Sequence, residues 1–492
     1  MSLTTLQWLL LVASSLALFA VAPLARTAGE FFGGRRADRA PGVVALTSSL
    51  VISWLFAKSL TNAANLGLAF GLVGGVAYAT YYLSFAVAGD VIYRMRTEGG
   101  FGSLHEFLLT RFGRGALVVF SLLIGLRLFN EVWSNTLVIG SYFGGVGEPG
   151  YYAAIIVFTL LTLAYSLKGG MSSSILTDII QMGLFRVLLI VLLGVIFPET
   201  EGGVGAMATS GEWGWATGGN LILVAILQSF SYPFHDPVLT DRGFLSDPTT
   251  TRRAFFWAVP VGFVCIVLFS LVGVFAAARG LDGQAAVAVA KYFGGPVLLV
   301  VNLIMITSAA STLDSTFTSF AKLGVVDLGT LFKGAGSRVQ GESKPPDPQR
   351  GRSKGLAPSV RTGRWAMVLI TVLGTIPVFL SPEILSATTV SGAMVMGLAP
   401  VFAYWKLPAS PLSFYLSVGF GVVCGVAYAA GLFPAAWNLT EGKYATLLTV
   451  TLIEFVGCIL LFAVGVNWKA VKNVPAGNAS TPNQHPNLLD HE

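Results

Sequence analysis

Apolar residues form long uninterrupted runs along most of the chain, and short polar connections separate these runs. A run of roughly 20 mostly apolar residues is long enough to cross the hydrocarbon core of a bilayer as a helix. The runs are continuous rather than alternating, which excludes a transmembrane β-barrel. The pattern predicts an all-α membrane protein with about thirteen transmembrane helices. Their predicted bounds are 5–23, 42–62, 66–92, 114–140, 150–167, 174–197, 219–238, 253–278, 292–321, 364–380, 386–404, 410–430 and 444–467.

Composition agrees with lipid as the main solvent of this chain. Of the 492 residues, 54% are hydrophobic and 11% are charged, whereas about a quarter of the residues in a soluble domain are charged. Cys265, Cys424 and Cys458 all lie inside apolar runs, without the spacing of a disulfide framework or a metal site. We see no nucleophile, metal cluster or phosphate-binding loop in the sequence. We therefore expect no enzyme and no cofactor.

The positions of Lys and Arg predict the orientation of the chain in the membrane. Basic residues concentrate in alternate connections, and only Arg279, Lys291 and Lys443 lie in the others. Because cytoplasmic connections carry the excess of Lys and Arg, the N-terminus is predicted outside and the C-terminus in the cytoplasm. Arg242 is counted here among the cytoplasmic residues. The net charge of +6 follows from this topology and does not indicate nucleic-acid binding.

Two polar segments are predicted to be disordered. Residues 333–363 are rich in Gly, Ser, Pro and basic residues, and they form the predicted cytoplasmic loop. The C-terminal tail, 474–492, has a similarly polar composition. A contact between the loop and anionic lipid is an alternative to a plain linker.

A face of hydroxyl groups on the ninth predicted span suggests a cation site. Ser308, Ser311, Thr312 and Ser315 recur at i, i+3, i+4 and i+7 and therefore share one side of a helix, with Asp314 beside them. Oxygen ligands in a dry site suit a small hard cation. The alternative is hydrogen bonding between helices by small polar residues.

Ionisable residues inside the predicted spans are costly unless they are paired or functional. Arg127 and Glu131 are four residues apart and are predicted to form a local ion pair. Asp178 lies about a turn inside a helix that follows Gly169 and Gly170. The full intramembrane set is Lys58, Arg127, Glu131, Asp178, Arg186, Asp236, Asp314 and Glu454.

Two segments are candidates for interrupted helices, which expose backbone groups at mid-membrane in transporters. Pro233 and Pro237 remove backbone donors within residues 231–242. The alternative for this segment is a helix that ends at the cytoplasmic face. Residues 48–62 contain several polar side chains but no Gly or Pro, so their chemistry alone does not predict a break.

Two motifs resemble the sodium:solute symporter family. The run GGMSSSILTDIIQ, 169–181, resembles that family's GG…TD..Q element, and SAASTLDSTFTS, 308–319, resembles its Ser/Thr-rich eighth core helix. The resemblance implies two inverted five-helix repeats, each beginning with a broken helix, plus one N-terminal and two C-terminal helices. The implied divisions are 1–41 (extra helix and loop), 42–197 (first repeat), 219–404 (second repeat), 405–473 (last two helices) and 474–492 (tail).

The resemblance also implies the site residues. The common sodium site would use the backbone carbonyls of Ile52, Leu55 and Ser308 and the hydroxyls of Ser311 and Thr312. A second cation or proton site would use Asp178 with Ser311, Asp314 and Ser315. The substrate would contact Ser53, Trp54, Lys58, Ser59, Gln228, Ser229, Tyr232 and His235.

The function implied is sodium-driven uptake of a small polar organic solute by alternating access. A proton-driven carrier of the same fold is one alternative, and a membrane sensor or channel is another. Lys58 departs from the pattern of sugar carriers. It either holds an anionic part of the substrate, or neutralises Asp314 or Asp178 in place of a sodium ion, or reaches outward to the membrane surface.

Overall fold

The computed structural model describes residues 1–35, 39–329, 359–380 and 392–472, and its regular structure in these ranges is helical. The first half contains α1 (Leu3–Val21), α2 (Ala28–Gly33), α3 (Val43–Trp54), α4 (Ala57–Phe70), α5 (Leu72–Ala79), α6 (Leu83–Thr97), α7 (Leu104–Gly140), α8 (Pro149–Ile196) and α9 (Gly203–Ala208). The second half contains α10 (Asn220–Gln228), α11 (Pro237–Arg242), α12 (Pro248–Ala278), α13 (Ala285–Phe293), α14 (Gly295–Lys322), α15 (Val360–Thr375), α16 (Leu398–Ala403), α17 (Pro411–Ala429), α18 (Ala445–Val464) and α19 (Trp468–Lys472).

Nine helices in these ranges are long and apolar enough to cross a membrane, or ten if a bent pair counts as one span. The all-α membrane architecture is therefore confirmed, while the number thirteen stays a prediction. Three features account for the difference between thirteen and ten. Helix α8 contains two predicted spans, 150–167 and 174–197, and the predicted span 219–238 is divided into short pieces. The predicted span 386–404 lies partly outside the described residues, and its described part contains the short helix α16.

Helix α8 cannot be one straight membrane span. Its 48 residues would extend about 72 Å as a straight helix, more than twice the thickness of the hydrocarbon core. The backbone leaves helical geometry at Gly170, where φ is 55° and ψ is −139°. A side chain at this position would be strained by the positive φ and would overlap the carbonyl oxygen of Phe31 in α2. The glycine therefore permits the kink between the two parts of α8.

The first broken helix is formed by α3 and α4, which are bent by 62° across Leu55 and Phe56. The first N–H groups of a helix have no partner within it. Here the backbone N–H of Lys58 donates to Asn135 Oδ1 at 3.3 Å. A side chain from α7 thus satisfies one donor that the break exposes. This contact lies 77 positions away in sequence, which is why residues 48–62 alone do not reveal the interruption.

The second broken helix lies between α10 and α11, in the segment where the two prolines made an interruption one of two alternatives. After Gln228 the chain makes a short 3-10 turn, Tyr232–His235, and α11 begins at Pro237. Asp236 caps α11, since its Oδ1 accepts the N–H of Leu239 at 3.3 Å. All residues of α11 are buried. The chain therefore continues after the interruption as a second, buried half-helix.

Helix α14 lies at the centre of the described structure. In its most apolar stretch 78% of the residues are buried, whereas 17% are buried in α1. It packs against one half of each broken helix, α3 and α11, and also against α7 and α8. On the neighbouring side α12 packs closely on α4, because a side chain at Gly273 would overlap the carbonyl oxygen of Ala64. The hydroxyl face of α14 is therefore inside the bundle.

The two segments predicted to be disordered fall mostly outside the described ranges. Of the loop 333–363, the structure describes the last five residues, and α15 begins there at Val360 after the capping side chain of Ser359. The tail 474–492 lies entirely outside the described residues.

Candidate cation and solute site

The hydroxyl face of α14 points into protein rather than lipid. Ser308, Ser311, Asp314 and Ser315 are fully buried, and Thr312 is 1% exposed. Ser315 Oγ lies 3.1 Å from Ser53 Oγ, which belongs to the last turn of α3. This hydrogen bond joins the hydroxyl face directly to the first broken helix.

The residues of the predicted common sodium site lie on these two elements. Ile52 and Leu55 are at the end of α3, where the last carbonyl groups have no donor further along the helix. The Thr312 hydroxyl donates to the carbonyl of Ser308 at 3.0 Å, and the Ser311 hydroxyl donates to Asp178 Oδ1. A hydroxyl group that donates its proton keeps lone pairs that can bind a cation. Both hydroxyls therefore remain able to serve as ligands.

The residues of the predicted second cation site are also brought together. Asp314 accepts hydrogen bonds from Ser174 at 2.8 Å and from Thr177 at 2.9 Å, and both donors lie on α8. Asp178 lies on the same helix and bonds to Ser311. The four predicted members of this site, Asp178, Ser311, Asp314 and Ser315, thus line the contact between α8 and α14.

A residue that the sequence analysis assigned to a cytoplasmic connection enters this second cluster. Arg242 is fully buried, and its Nη2 lies 3.1 Å from Asp178 Oδ2 and 2.7 Å from Ser315 Oγ. The sequence analysis placed this residue in a connection between spans, whereas its side chain lies inside the bundle. The physical reason is that α11 turns into the bundle after the second break, and the carboxylate of Asp178 offsets the cost of burying the guanidinium.

A second buried network connects the two broken helices through α7. Glu131 Oε1 accepts Lys58 Nζ at 2.7 Å and also pairs with Arg127, which confirms the predicted pairing of Arg127 with Glu131. Arg127 Nη2 lies 3.2 Å from Asp236 Oδ2. The same carboxylate oxygen accepts the indole N–H of Trp54 at 3.0 Å. The positive charges of Lys58 and Arg127 balance the negative charges of Glu131 and Asp236, so this network carries no net charge.

Two of the three interpretations of Lys58 are wrong. Its side chain is fully buried, so it does not reach the membrane surface. Its partners are Glu131 and Ser134, whereas Asp178 is paired with Arg242 and Asp314 is bonded to hydroxyl groups of α8. Lys58 therefore does not neutralise the second cation site. A role in binding an anionic solute stays a prediction, although its charge is already balanced by Glu131.

The other predicted substrate residues lie around this network, in an aromatic setting. The rings of Trp54 and Tyr232 meet edge to face with centroids 5.6 Å apart, and His235 lies 4.8 Å from Tyr232. Gln228 Oε1 accepts the hydroxyl of Tyr81 at 2.9 Å. Two predicted residues bond away from these rings, since Ser59 pairs with Tyr78 and Ser229 donates to the carbonyl of Ala225.

Sequence reasoning missed several residues that complete these networks. Asn135 and Ser134 lie in no motif, and they are recognised only through contacts with Lys58, far away in sequence. Ser49 and Ser174 lie inside segments that the sequence analysis singled out, but their roles appear only through distant carboxylate partners. Arg242 had one usable signal, since it ends a segment whose prolines indicated an interrupted helix. Other members were noted as intramembrane ionisable residues but were not assigned to a site: Arg127, Glu131 and Asp236.

Comparison with known proteins gives a partial sequence relationship. No family model matches the chain. A stretch of 159 residues is 26% identical to sodium/glucose cotransporter 1 of Oryctolagus cuniculus and covers 30% of this chain. The match spans 23% of that protein's own length.

Solved structures resemble this one over nearly its whole length. A Na⁺-coupled sialic acid symporter in a substrate-bound, outward-open state superposes with a TM-score of 0.69 at 15% identity, covering 94% of this chain and 98% of that one. Mhp1, a nucleobase-cation-symport-1 family transporter in a closed conformation, superposes with a TM-score of 0.57 at 11% identity, covering 91% and 97%. The chain therefore has the fold of these cation-coupled symporters, and the resemblance to the sodium:solute symporter family is confirmed.

Proposed function

We propose that this protein is a secondary active transporter that couples sodium influx to the uptake of a small polar organic solute. The observation that carries the proposal is the buried hydroxyl face of α14, which is hydrogen-bonded to the end of the broken helix α3. Oxygen atoms that converge away from water are suitable ligands for a small hard cation. The outward-open and closed states of the similar structures support alternating access as the mechanism.

The finer architecture is part of the proposal. The two breaks lie at the starts of the segments 42–197 and 219–404, as expected for two inverted repeats. One N-terminal helix and two C-terminal helices complete about thirteen spans. With the basic connections inside, the N-terminus is outside a cytoplasmic membrane and the C-terminus is in the cytoplasm.

The proposed sodium ion binds between the end of α3 and α14. Its ligands are the carbonyls of Ile52, Leu55 and Ser308 and the hydroxyls of Ser311 and Thr312. This position favours coupling, because a cation there contacts both the broken helix and the centre of the bundle. Binding that differs between two conformations shifts their populations.

One sodium ion per cycle supplies enough free energy for useful accumulation. Moving one charge through about 100 mV yields about 2.3 kcal/mol. A tenfold sodium gradient adds about 1.4 kcal/mol. Together these terms sustain a solute gradient of several hundred-fold.

Unsatisfied polar atoms near the two breaks suit a solute that both donates and accepts hydrogen bonds. Among the described residues, Gln228 Nε2 and Asn62 Nδ2 are buried donors without a partner. His235 Nδ1 lies 2.6 Å from the carbonyl of Tyr232, so the neutral ring donates there and leaves Nε2 as an unpaired acceptor. A compound with hydroxyl, amide or carboxylate groups would satisfy these atoms.

Two variants on one helix face test the sodium site. Thr312→Ala removes a proposed ligand, whereas Ser308→Ala removes a hydroxyl that has no partner in the described structure and keeps the proposed carbonyl ligand. The measurement is thermal stability of the purified protein against sodium chloride, with choline chloride holding ionic strength constant. We expect the wild type and Ser308→Ala to gain stability with sodium, and Thr312→Ala to require at least tenfold more sodium. Equal responses of all three proteins would contradict the assigned ligands.

A proton-driven carrier is the second candidate, and one observation favours it. The hydrogen bonds that the structure describes to Asp314 come from hydroxyl groups, and Arg242 is engaged by the neighbouring Asp178. A buried carboxylate with such partners is a candidate to carry a proton across the membrane. The same measurement of thermal stability in sodium chloride and choline chloride separates the sodium-driven from the proton-driven carrier. A proton-driven carrier would show no specific response to sodium.

A further inference from the structure

The Arg242 side chain ends in a group of oxygen atoms contributed by three helices. Its Nη2 has four side-chain oxygens within hydrogen-bonding distance, at 2.7 Å from Ser315 Oγ, 3.1 Å from Asp178 Oδ2, and 3.3 Å from both Ser53 Oγ and Ser174 Oγ. The rest of the guanidinium is also engaged. Nε donates to Ser49 Oγ, and Nη1 donates to the carbonyl of Val238 in its own helix at 2.8 Å.

This arrangement is that of a cation in a site built from oxygen ligands. A carboxylate and several neutral oxygens are the donor set that hard metal cations take in proteins. Two of the oxygens, from Asp178 and Ser315, belong to the second cation site predicted from the sequence. A metal ion and the guanidinium cannot use the same oxygens together, since two unit charges about 4 Å apart repel each other strongly.

We propose that the Arg242 guanidinium is a tethered cation that takes the place of a second sodium ion between α8 and α14, so that one sodium ion is coupled to each transport cycle. The proposal rests on the proposed function, because it assigns the number of coupling ions to that same transporter. It also assigns to Arg242 the role of substitute cation that the sequence analysis considered for Lys58.

The balance of charge disfavours a metal ion beside Arg242. Asp178 and Arg242 already pair one negative charge with one positive charge at the contact between α8 and α14. A second sodium ion there would add a further positive charge next to oxygens that the guanidinium already engages. Ser311 bonds to Asp178 and is also a proposed ligand of the first sodium ion, so the two positions share one side chain.

A purely structural role for Arg242 makes a different prediction. In that case the side chain only holds α11 against α3, α8 and α14, and its removal would lower stability without changing the number of ions. The number of bound sodium ions therefore distinguishes a substitute cation from a structural contact.

The experiment counts sodium ions bound to the purified full-length protein by equilibrium dialysis against radioactive sodium. We expect one ion per wild-type chain and two per chain for Arg242→Ala, with a Hill coefficient that rises above one. Arg242→Lys keeps the charge and should bind one ion. Arg252→Ala is the matched control, because it removes a partly exposed arginine that pairs with Asp90, and it should also bind one ion.

Three other numbers of bound sodium ions would each contradict a different claim. Two ions in the wild type would refute the substitution while leaving the proposed transporter intact, and this count does not depend on any variant folding. One ion in a folded Arg242→Ala protein would make the arginine a structural contact. Absence of sodium binding in the wild type would reject the proposed function itself.

Discussion

The network of Lys58, Arg127, Glu131 and Asp236 makes a quantitative prediction about stability. Lys58 Nζ lies 2.7 Å from Glu131 Oε1, and both side chains are almost completely buried. At an effective dielectric constant of 20, the attraction of this pair is about 6 kcal/mol before the cost of burial. Removing one partner of a buried pair typically costs about 3–5 kcal/mol, because the other charge is left uncompensated.

We expect Lys58→Met and Glu131→Gln each to lower the free energy of unfolding by about 3 kcal/mol, the low end of that range. Lys58→Met leaves Glu131 paired with Arg127, and Glu131→Gln keeps an oxygen that can accept from Asn135. Each single change unbalances the network by one charge. The double change leaves Arg127 with Asp236 and restores neutrality.

The double variant is therefore expected to be less destabilised than the sum of the single variants, by about 2 kcal/mol. Detergent-solubilised protein can be titrated with SDS, with unfolding followed by circular dichroism. Lys58→Met combined with Glu199→Gln serves as the control, because Glu199 is largely exposed and should behave additively. If the Lys58 and Glu131 effects add to within about 0.5 kcal/mol, the pairing and the reasoning built on it are wrong.

Two further predictions concern the region where α2 meets the kink in α8. Gly170→Ala should lower the free energy of unfolding by about 1–3 kcal/mol, because alanine is strained at this positive φ. Gly183→Ala is the control, because this position is helical and faces open space, and it should leave the melting temperature unchanged or higher. The backbone N–H groups of Arg26 and Thr27 hold the pKa of Glu30 below its usual value. The ionised carboxylate of Glu30 therefore stabilises the folded protein above the unfolded pKa of about 4.3, and this stabilisation is lost as the pH falls below that value. Glu30→Gln should therefore melt at a lower temperature than the wild type near neutral pH and at the same temperature in acid, and a pH-independent difference would contradict this assignment.

Properties that depend on local composition were predictable from the sequence. The length and continuity of the apolar runs indicated membrane helices, and Pro233 and Pro237 indicated the second break. The spacing of hydroxyl groups from Ser308 to Ser315 indicated one helix face, and that face is buried as expected for a site. In each case the signal lies within a few turns of one helix.

Properties that depend on partners from distant segments were not predictable in the same way. The first break contains neither Gly nor Pro, and Asn135 satisfies one donor that it exposes. Lys58 is paired with Glu131. The sequence predicts a different partner for Glu131, because Arg127 lies four residues earlier on the same helix, and the structure contains both pairs. Arg242 was assigned to a cytoplasmic connection by the rule that basic residues concentrate in connections, and its pairing with Asp178 on a distant helix explains its burial.

The contacts of Asp178 hold one half of each broken helix against α8. The carboxylate accepts hydrogen bonds from Ser49 on α3, from Ser311 on α14 and from Arg242 on α11. The half-helices α3 and α11 also contact each other. Separating α3 and α11 from α8 would therefore cost a buried carboxylate several donors at once. Because such packed contacts have discrete arrangements rather than a continuous range, the proposed transport cycle would have to move both half-helices together.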